Sequence, residues 1–137
     1  FPWDSLNDPM SWWSPNPRFI LELNEFKCHR SLKRRMAHFD VRFDTAFSEV
    51  ISACSSIPRP GQRGTWIVPE MIEAYEALFD LGYAHSVEVY QNEVLVGGLY
   101  GVSVGRVFCG ESMFSHVNDA SKVALAVLVE HLKVFLP

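Results

Sequence analysis

Residues 85–110, HSVEVYQNEVLVGGLYGVSVGRVFCG, decide the fold class of this 137-residue chain. The stretch holds three apolar runs rich in β-branched residues, at about 85–90, 95–102 and 106–110. Asn92-Glu93 and Val104-Gly105 lie between the runs, and short polar or glycine-containing pairs at such positions favour tight turns. The stretch therefore predicts three strands that form an antiparallel meander.

Helices are predicted on both sides of this meander. One helix begins at Pro69, because proline is favoured in a first helical turn, and it ends before Gly82, a typical terminating residue. The last helix spans about 120–135, and Asn118 or Asp119 supplies its N-terminal cap.

A further strand and helix precede these elements. Residues 41–43 predict a short strand, and Asp44 or Thr45 caps a helix that runs to about residue 54. Together the elements predict an α+β fold in which helices flank an antiparallel sheet. The order helix, three strands, helix resembles that of the acetyltransferase superfold, which makes the sheet acetyltransferase-like (GNAT-like).

The N-terminal part of the chain differs in composition. Residues 1–17 contain four prolines and three tryptophans, which predicts an irregular segment with Trp12 and Trp13 packed in the core. A short strand is predicted at 18–23. The chain then divides into two parts that form one structural unit: an N-terminal segment, 1–45, and a core, 46–137.

A basic helix is predicted at 31–38, within the N-terminal segment. Six of the twelve Lys and Arg residues lie in positions 27–42, although the net charge of the chain is −4. Arg30, Lys33 and Arg34 follow i, i+3, i+4 spacing and share one helix face. A local basic patch on an acidic chain suits a partner that is contacted through its phosphates.

Composition restricts the class of protein. Hydrophobic residues make up 48% and charged residues 20%, which is typical of a globular domain. The longest apolar stretch, 123–136, contains Glu130 and Lys133 and is too short for a bilayer span, so no membrane partner is expected. Three widely spaced cysteines without a Cys-x-x-Cys motif favour a reducing, cytoplasmic setting. The histidines lack metal-ligand spacing, so no metal site is expected.

The glycines at positions 97, 98 and 101 lie inside a predicted strand. A phosphate-binding loop follows a strand and opens a helix, so these glycines indicate close backbone approach instead. Coenzyme A is also disfavoured, because residues 111–118, which follow the meander, contain no glycine for a pyrophosphate turn.

Glu111 is the candidate acid–base residue. It follows the apolar residues 107–110, where we expect the third strand to end in the sheet interior. A carboxylate there can orient an amine or accept its proton, and pairing with a lysine is an equal alternative. Trp3, Trp66 and Tyr75 lie in or near Pro/Gly-rich loops, where aromatic rings can stack on nucleobases; core packing is the alternative.

Eight phrases carry a resemblance to a known family. They are FPW at 1–3, WWSPNPR at 12–18, GTWI at 64–67, EAY at 73–75, AHSVEV at 84–89, GGLYGV at 97–102, FCGESMFS at 108–115 and ASK at 120–122. In this order they resemble the bacterial leucyl/phenylalanyl-tRNA–protein transferases over essentially the whole chain. Leu99 stands where that family usually has Met.

The resemblance implies an acetyltransferase-like core that uses aminoacyl-tRNA in place of coenzyme A and needs no cofactor. The family transfers Leu or Phe, and less readily Met, from Leu-tRNA and Phe-tRNA to proteins that begin with Arg or Lys. This N-end-rule reaction marks those proteins for degradation in the cytoplasm. The implied partners are therefore aminoacyl-tRNA and acceptor proteins.

The resemblance also implies site residues by position. Glu111 would position the reacting groups, and Trp3, with Trp66 and Tyr75, would bind the terminal adenosine of the tRNA. The residues that would line the amino-acid pocket are Leu99, Phe108, Gly110, Met113, Leu125 and Leu128. The residues that would hold phosphates of the acceptor stem are Arg30, Lys33 and Arg34.

Two other functions stay open: a fragment that holds aminoacyl-tRNA without transferring, and a small acetyltransferase-like protein. The family also has an N-terminal portion before Phe1 and a strand with an Asp-x-Gln motif after the last helix. Both are missing from the 137 residues considered. We therefore expect this chain to retain at least part of the tRNA-binding surface and to transfer poorly or not at all.

Overall fold

The computed structural model describes residues 2–3, 11–58, 60–61 and 64–135, with side chains from residue 11 to 134 inside these ranges. Its strands are β1 Pro2–Trp3, β2 Ser11–Trp12, β3 Asp40–Phe43, β4 Ala84–Gln91, β5 Val94–Val104 and β6 Val107–Ser115. Its helices are α1 Arg30–Met36, α2 Phe47–Ser56, α3 Pro69–Asp80 and α4 Ala120–Phe135, with a 3-10 turn at Leu23–Glu25. The fold is α+β, as predicted.

A four-stranded antiparallel sheet with the order β3-β4-β5-β6 forms the centre of the protein. Asn92 and Glu93 join β4 to β5 with positive φ angles of 51° and 61°, the geometry of a hairpin turn that matches strand twist. The predicted meander is confirmed. Its third strand is longer than predicted, because β6 continues through Glu111 to Ser115.

Helices cover both faces of the sheet. α2 and α3 pack on one face around Val50, Ile51, Tyr75 and Tyr100, and α4 packs on the other against β4 and β5. The alternating side chains of β5 feed both cores, since Tyr100 belongs to the first and Leu99 to the second.

The glycines of β5 permit close contacts, as predicted. A Cβ on Gly97 would lie 2.5 Å from the Cβ of Ala120, so the first turn of α4 rests on the backbone of β5. A Cβ on Gly101 would meet the Phe108 ring and the Cys109 carbonyl oxygen. Gly97 therefore sets how closely α4 approaches the sheet, and Gly101 sets how closely β6 residues pack on β5.

The helix ends follow the sequence only in part. Gly82, with φ of 76°, ends α3, and the amides of Gly82 and Tyr83 bond to the carbonyls of Phe79 and Leu78, which confirms the predicted stop. The predicted cap of α2 at Asp44 or Thr45 is wrong. The N-cap residue is Ala46, which forms no side-chain cap bond.

The Asp44 and Thr45 side chains bond to β4 instead. The Asp44 carboxylate accepts from the Ser86 amide at 2.8 Å, and the Thr45 hydroxyl donates to Glu88 at 2.8 Å. At α4, the Ser121 amide bonds to the Ser115 hydroxyl at 3.3 Å. The Asp119 carboxylate there binds the side chains of Lys122 and Arg35.

The N-terminal segment departs from two predictions. Residues 18–22 form no strand and lead into the 3-10 turn. Trp12 and Trp13 are 68% and 57% exposed, so their predicted core packing is wrong. The basic helix is confirmed as α1. Across residues 11–58, 60–61 and 64–135, no helix is both long and apolar enough to cross a bilayer.

Candidate functional site: a groove along the edge strand

A groove of about 1040 Å³ runs between β6, α4 and the segment that precedes α1. Leu99 of β5 and Leu128 of α4, both almost fully buried, belong to its apolar lining. Met113 of β6, which is 44% exposed, lines it as well. The groove is thus a mainly apolar site that opens to solvent on one side.

The structure brings together one predicted set of residues completely. Six residues expected to form an amino-acid pocket all line the groove: Leu99, Phe108, Gly110, Met113, Leu125 and Leu128. They come from three elements, β5, β6 and α4, that are up to 29 residues apart in sequence. Gly110 leaves open space where a side chain would stand, since nothing lies within 4 Å of a Cβ built on it.

Glu111 also lines the groove, at an irregular point of β6. Tyr100 pairs with Ser112 and Gly101 pairs with Gly110, so Glu111 is the extra residue of a β-bulge. A bulge bends its strand and redirects a side chain away from the regular alternation. The carboxyl group therefore lies inside the strand, and not at its end as the sequence predicted.

The surroundings of Glu111 favour its neutral form. Burial raises the pKa of Glu111 above its ordinary value, while the Tyr75 hydroxyl and the Arg18 guanidinium act in the opposite direction. Among the described residues, Glu111 Oε2 has no hydrogen-bond partner although the atom is buried. A raised pKa makes the ionised carboxylate a stronger base towards an amine than an exposed carboxylate would be.

The predicted aromatic residues take different positions. Tyr75 is 2% exposed, and its ring packs edge-on against Tyr100 with centroids 5.3 Å apart. Trp66 is half-buried and lies 6.2 Å from the Tyr75 ring. The backbone of Trp3 lies in β1, beside Ser11, and its side chain is outside the described part of the structure. Neither Trp66 nor Tyr75 lines the groove, and both belong to the first core or pack against it.

The basic residues of α1 lie apart from the groove. Arg30, Lys33 and Arg34 are exposed, while Leu32 and Met36 of the same helix pack against the second core. α1 packs on α4 through this apolar side. The structure therefore presents the three cations as an outward surface beside the helix that forms one wall of the groove.

Sequence reasoning missed the wall formed by residues 18–24, all seven of which line the groove. Phe19, Ile20 and Leu21 are 103%, 72% and 50% exposed. These three apolar residues are consecutive and follow the arginine of the WWSPNPR phrase, whereas a half-buried strand alternates apolar and polar residues. This run was the signal that could have identified the wall. Arg106 and Lys133, at the strand turn and the end of α4, were also missed.

The fold and the groove define an α+β protein with a mainly apolar groove beside a partly buried carboxyl group. Comparison with known proteins makes this specific. A sequence profile described as leucyl/phenylalanyl-tRNA protein transferase matches residues 20–135. The chain belongs to this family.

Several curated relatives are similar to the chain over nearly its whole length. The leucyl/phenylalanyl-tRNA–protein transferase of Sulfurimonas denitrificans is 60% identical over 135 residues, which is 98% of this chain and 59% of the relative. Those of Polaromonas sp. and Dechloromonas aromatica are each 56% identical, over 94% and 96% of this chain and 53% and 57% of the relatives. The chain thus spans somewhat more than half the length of these relatives.

Proposed function

We propose that this chain takes part in transferring Leu or Phe from aminoacyl-tRNA to the N-terminus of an acceptor protein. The observation that supports this most strongly is the groove itself. An apolar pocket that contains Met113 and lies next to Glu111 belongs to a chain of this family. The reaction needs a site for an apolar side chain and a group that handles the proton of an amine.

The pocket suits several apolar side chains and excludes charged ones. Burying an unpaired charge between Leu99 and Leu128 would cost more free energy than contacts in the pocket could offset. The side chains of Leu, Phe and Met would instead be stabilised by burial. Met113 is flexible and adapts to ligands of different shape. Such a pocket separates ligands that differ by one methylene only weakly, which accords with acceptance of Leu, Phe and, less readily, Met.

The chemistry is aminolysis of an ester. The nitrogen of the acceptor's N-terminal amine attacks the carbonyl carbon, the new C–N bond forms, and the bond to the ribose oxygen breaks. The amine loses one proton, and the ribose oxygen of the released tRNA gains one. Glu111 orients the amine and accepts its proton, and most of the acceleration comes from holding both substrates in place.

The acceptor would begin with Arg or Lys. Glu22 and Glu111 are the two acidic residues that line the groove, at its outer wall and at the bulge. Arg18, Arg106 and Lys133 line the groove as well, so this acceptor preference follows from the family resemblance and not from the net charge of the lining. Transfer of this kind marks the acceptor for degradation, and its use of charged tRNA points to the cytoplasm.

The tRNA would bind around the groove. Arg30, Lys33 and Arg34 form an exposed basic surface that can contact acceptor-stem phosphates. Trp3 and Trp66 would meet the terminal adenosine, with Tyr75 supporting Trp66 from below. We further propose an acetyltransferase-like core for residues 46–137, supported by the antiparallel sheet, its covering helices and the bulge in β6.

The proposal is tested with Phe-tRNA that carries labelled Phe and two acceptor peptides, one beginning with Arg and one with Asp. The label should appear at the N-terminus of the Arg peptide only, and Glu111→Gln should reduce its rate of appearance. Binding of Phe-tRNA without any transfer would identify a protein that holds aminoacyl-tRNA. Acetylation from acetyl-CoA would identify an acetyltransferase.

A further inference from the structure

We propose that the ion pair between Arg35 of α1 and Asp119, at the start of α4, is a clamp that positions the basic face of α1 for tRNA. Arg35 is a positioning residue in this inference, and its guanidinium does not itself bind phosphate. The inference rests on the function proposed above, because it assigns the clamp a role in placing the acceptor stem relative to the groove.

Arg35 differs from the other cations of α1 in what it contacts. Arg30, Lys33 and Arg34 form the exposed basic surface of the helix. The Nε atom of Arg35 lies 3.1 Å from Oδ2 of Asp119, and a terminal nitrogen donates to the Asn118 carbonyl oxygen at 3.4 Å. The Arg35 guanidinium is therefore held by the residues that lead into α4.

One carboxylate joins the two helices. Oδ1 of Asp119 accepts a 2.8 Å hydrogen bond from the Lys122 ammonium in the first turn of α4, while Oδ2 pairs with Arg35. The Asp119 side chain is 25% exposed and that of Arg35 is 49% exposed. The hydrogen bond from Lys122, together with the charges of Lys122 and Arg35, lowers the pKa of Asp119, which keeps the carboxylate ionised at neutral pH.

The clamp gives direction to an apolar contact. α1 is a helix of seven residues, and Leu32 and Met36 pack against the second core. Apolar burial is not directional, so two such side chains leave a short helix free to rotate or slide on the surface beneath it. A charged hydrogen bond from Arg35 to a carboxylate fixed on α4 selects one arrangement.

This arrangement sets the distance between the basic surface and the pocket. Asp119 and the groove residue Leu125 lie roughly 9 Å apart along α4 at the usual helical rise. α4 is thus both a wall of the groove and the anchor of α1. A tRNA that places its aminoacyl group in the groove and its acceptor stem on α1 needs this distance to be fixed.

The first experiment removes the carboxylate. Asp119→Asn breaks the clamp and suits the left-handed backbone at this position, where φ is 69°. Filter binding should show that Phe-tRNA binds about two- to fivefold more weakly, which is as much as a pair of this exposure contributes. Glu49→Gln removes an exposed carboxylate from α2, on the opposite face of the sheet, and should not weaken binding.

General electrostatics predicts the opposite sign for Asp119→Asn, because loss of a negative charge should strengthen the binding of a polyanion. Unchanged or tighter binding of Phe-tRNA by Asp119→Asn would therefore overturn the proposal.

Arg35→Gln distinguishes a clamp from a direct phosphate contact. In the wild-type background it should weaken Phe-tRNA binding about two- to fivefold, and in Asp119→Asn it should cause little further loss. Equal weakening in both backgrounds would overturn the proposal. If Asp119→Asn proves unstable, the salt dependence of Arg35→Gln decides. A clamp leaves the slope unchanged, whereas a lost phosphate contact makes it shallower and overturns the proposal.

A minimal donor is the control for the groove. A stable amide analogue of phenylalanyl-adenosine has no acceptor stem, so Asp119→Asn and Arg35→Gln should bind it as tightly as the wild type does. Equal losses for the analogue and for Phe-tRNA would indicate general damage to the fold and overturn the positioning role. A wild-type chain that binds no Phe-tRNA would overturn the proposed function, and with it the meaning of the clamp.

Discussion

The Thr45 hydroxyl donates a 2.8 Å hydrogen bond to Oε2 of Glu88, a residue with no exposed surface in the middle of β4. The Thr45 amide bonds to the same oxygen at 3.3 Å, and the Ser86 hydroxyl donates to Oε1 at 2.5 Å. A carboxyl group buried this deeply needs hydrogen-bond donors, because an oxygen that lacks one is desolvated without compensation. The loop before α2 is thereby fastened to the sheet.

Thr45→Val should lower the free energy of unfolding by about 1–3 kcal/mol, since it removes one donor from a buried acceptor. Thr45→Ser is the matched control, because it keeps the hydroxyl and should lose much less. Urea unfolding followed by circular dichroism measures both. Equal loss in the two variants would show that the methyl group of Thr45 matters and the hydrogen bond does not.

Gly97→Ala should destabilise the fold by about 1–3 kcal/mol, the usual cost of overpacking. The new methyl group would lie 2.5 Å from the Cβ of Ala120, and backbone atoms of Ala120 are also close. Gly110→Ala is the control for stability, because a Cβ there meets nothing within 4 Å. Thermal unfolding should separate the two variants; similar midpoints would mean that α4 can shift freely.

These contacts also mark the limit of sequence-based prediction. The meander was predictable because β-branched runs and the Asn92-Glu93 turn are local signals. The predicted cap of α2 was wrong because groups on β4, more than 40 residues away, bind both side chains: the Ser86 amide donates to Asp44, and Glu88 accepts from the Thr45 hydroxyl. The bulge at Glu111 has no signature in alternation, because one extra residue is visible only once β5 supplies the register.

The site was predictable to a similar extent. The six pocket residues came from resemblance to a family, and the structure shows that they line one groove with Glu111. The wall at residues 18–24 was missed, because an exposed apolar run has no periodicity that distinguishes a strand from an irregular segment. The roles of the six pocket residues and of Glu111 stay predictions, as does the boundary between residues 45 and 46.

Met113→Ala should weaken transfer of Phe and Leu by about tenfold with little loss of stability. The side chain lines the groove and is 44% exposed, so truncation removes ligand contacts while leaving the cores intact. Val94→Ala, at an exposed position at the start of β5, is the control. Steady-state transfer rates and thermal unfolding should be measured together. A large fall in stability with normal transfer would contradict this role of Met113.

Replacing Arg30, Lys33 and Arg34 by Glu should weaken the binding of all aminoacyl-tRNAs by a similar factor, because phosphate contacts carry no sequence information. The dependence of binding on salt should also become shallower, since fewer counterions are released. Arg42→Gln is the control, at a cation already bound by Asp40 and Glu93. Filter binding across a salt series gives the slopes. Unchanged slopes in the triple variant would exclude α1 from the tRNA contact.

The central claim is that the aminoacyl group binds in the groove beside Glu111. Methyl NMR of the four methionines tests it directly, with a stable amide analogue of phenylalanyl-adenosine as the titrant. The Met113 methyl signal, assigned with Met113→Leu, should shift saturably, because this residue lines the groove. The Met36 signal, from the contact between α1 and the second core, should stay in place. Saturable movement of Met36 with no change at Met113 would contradict the account.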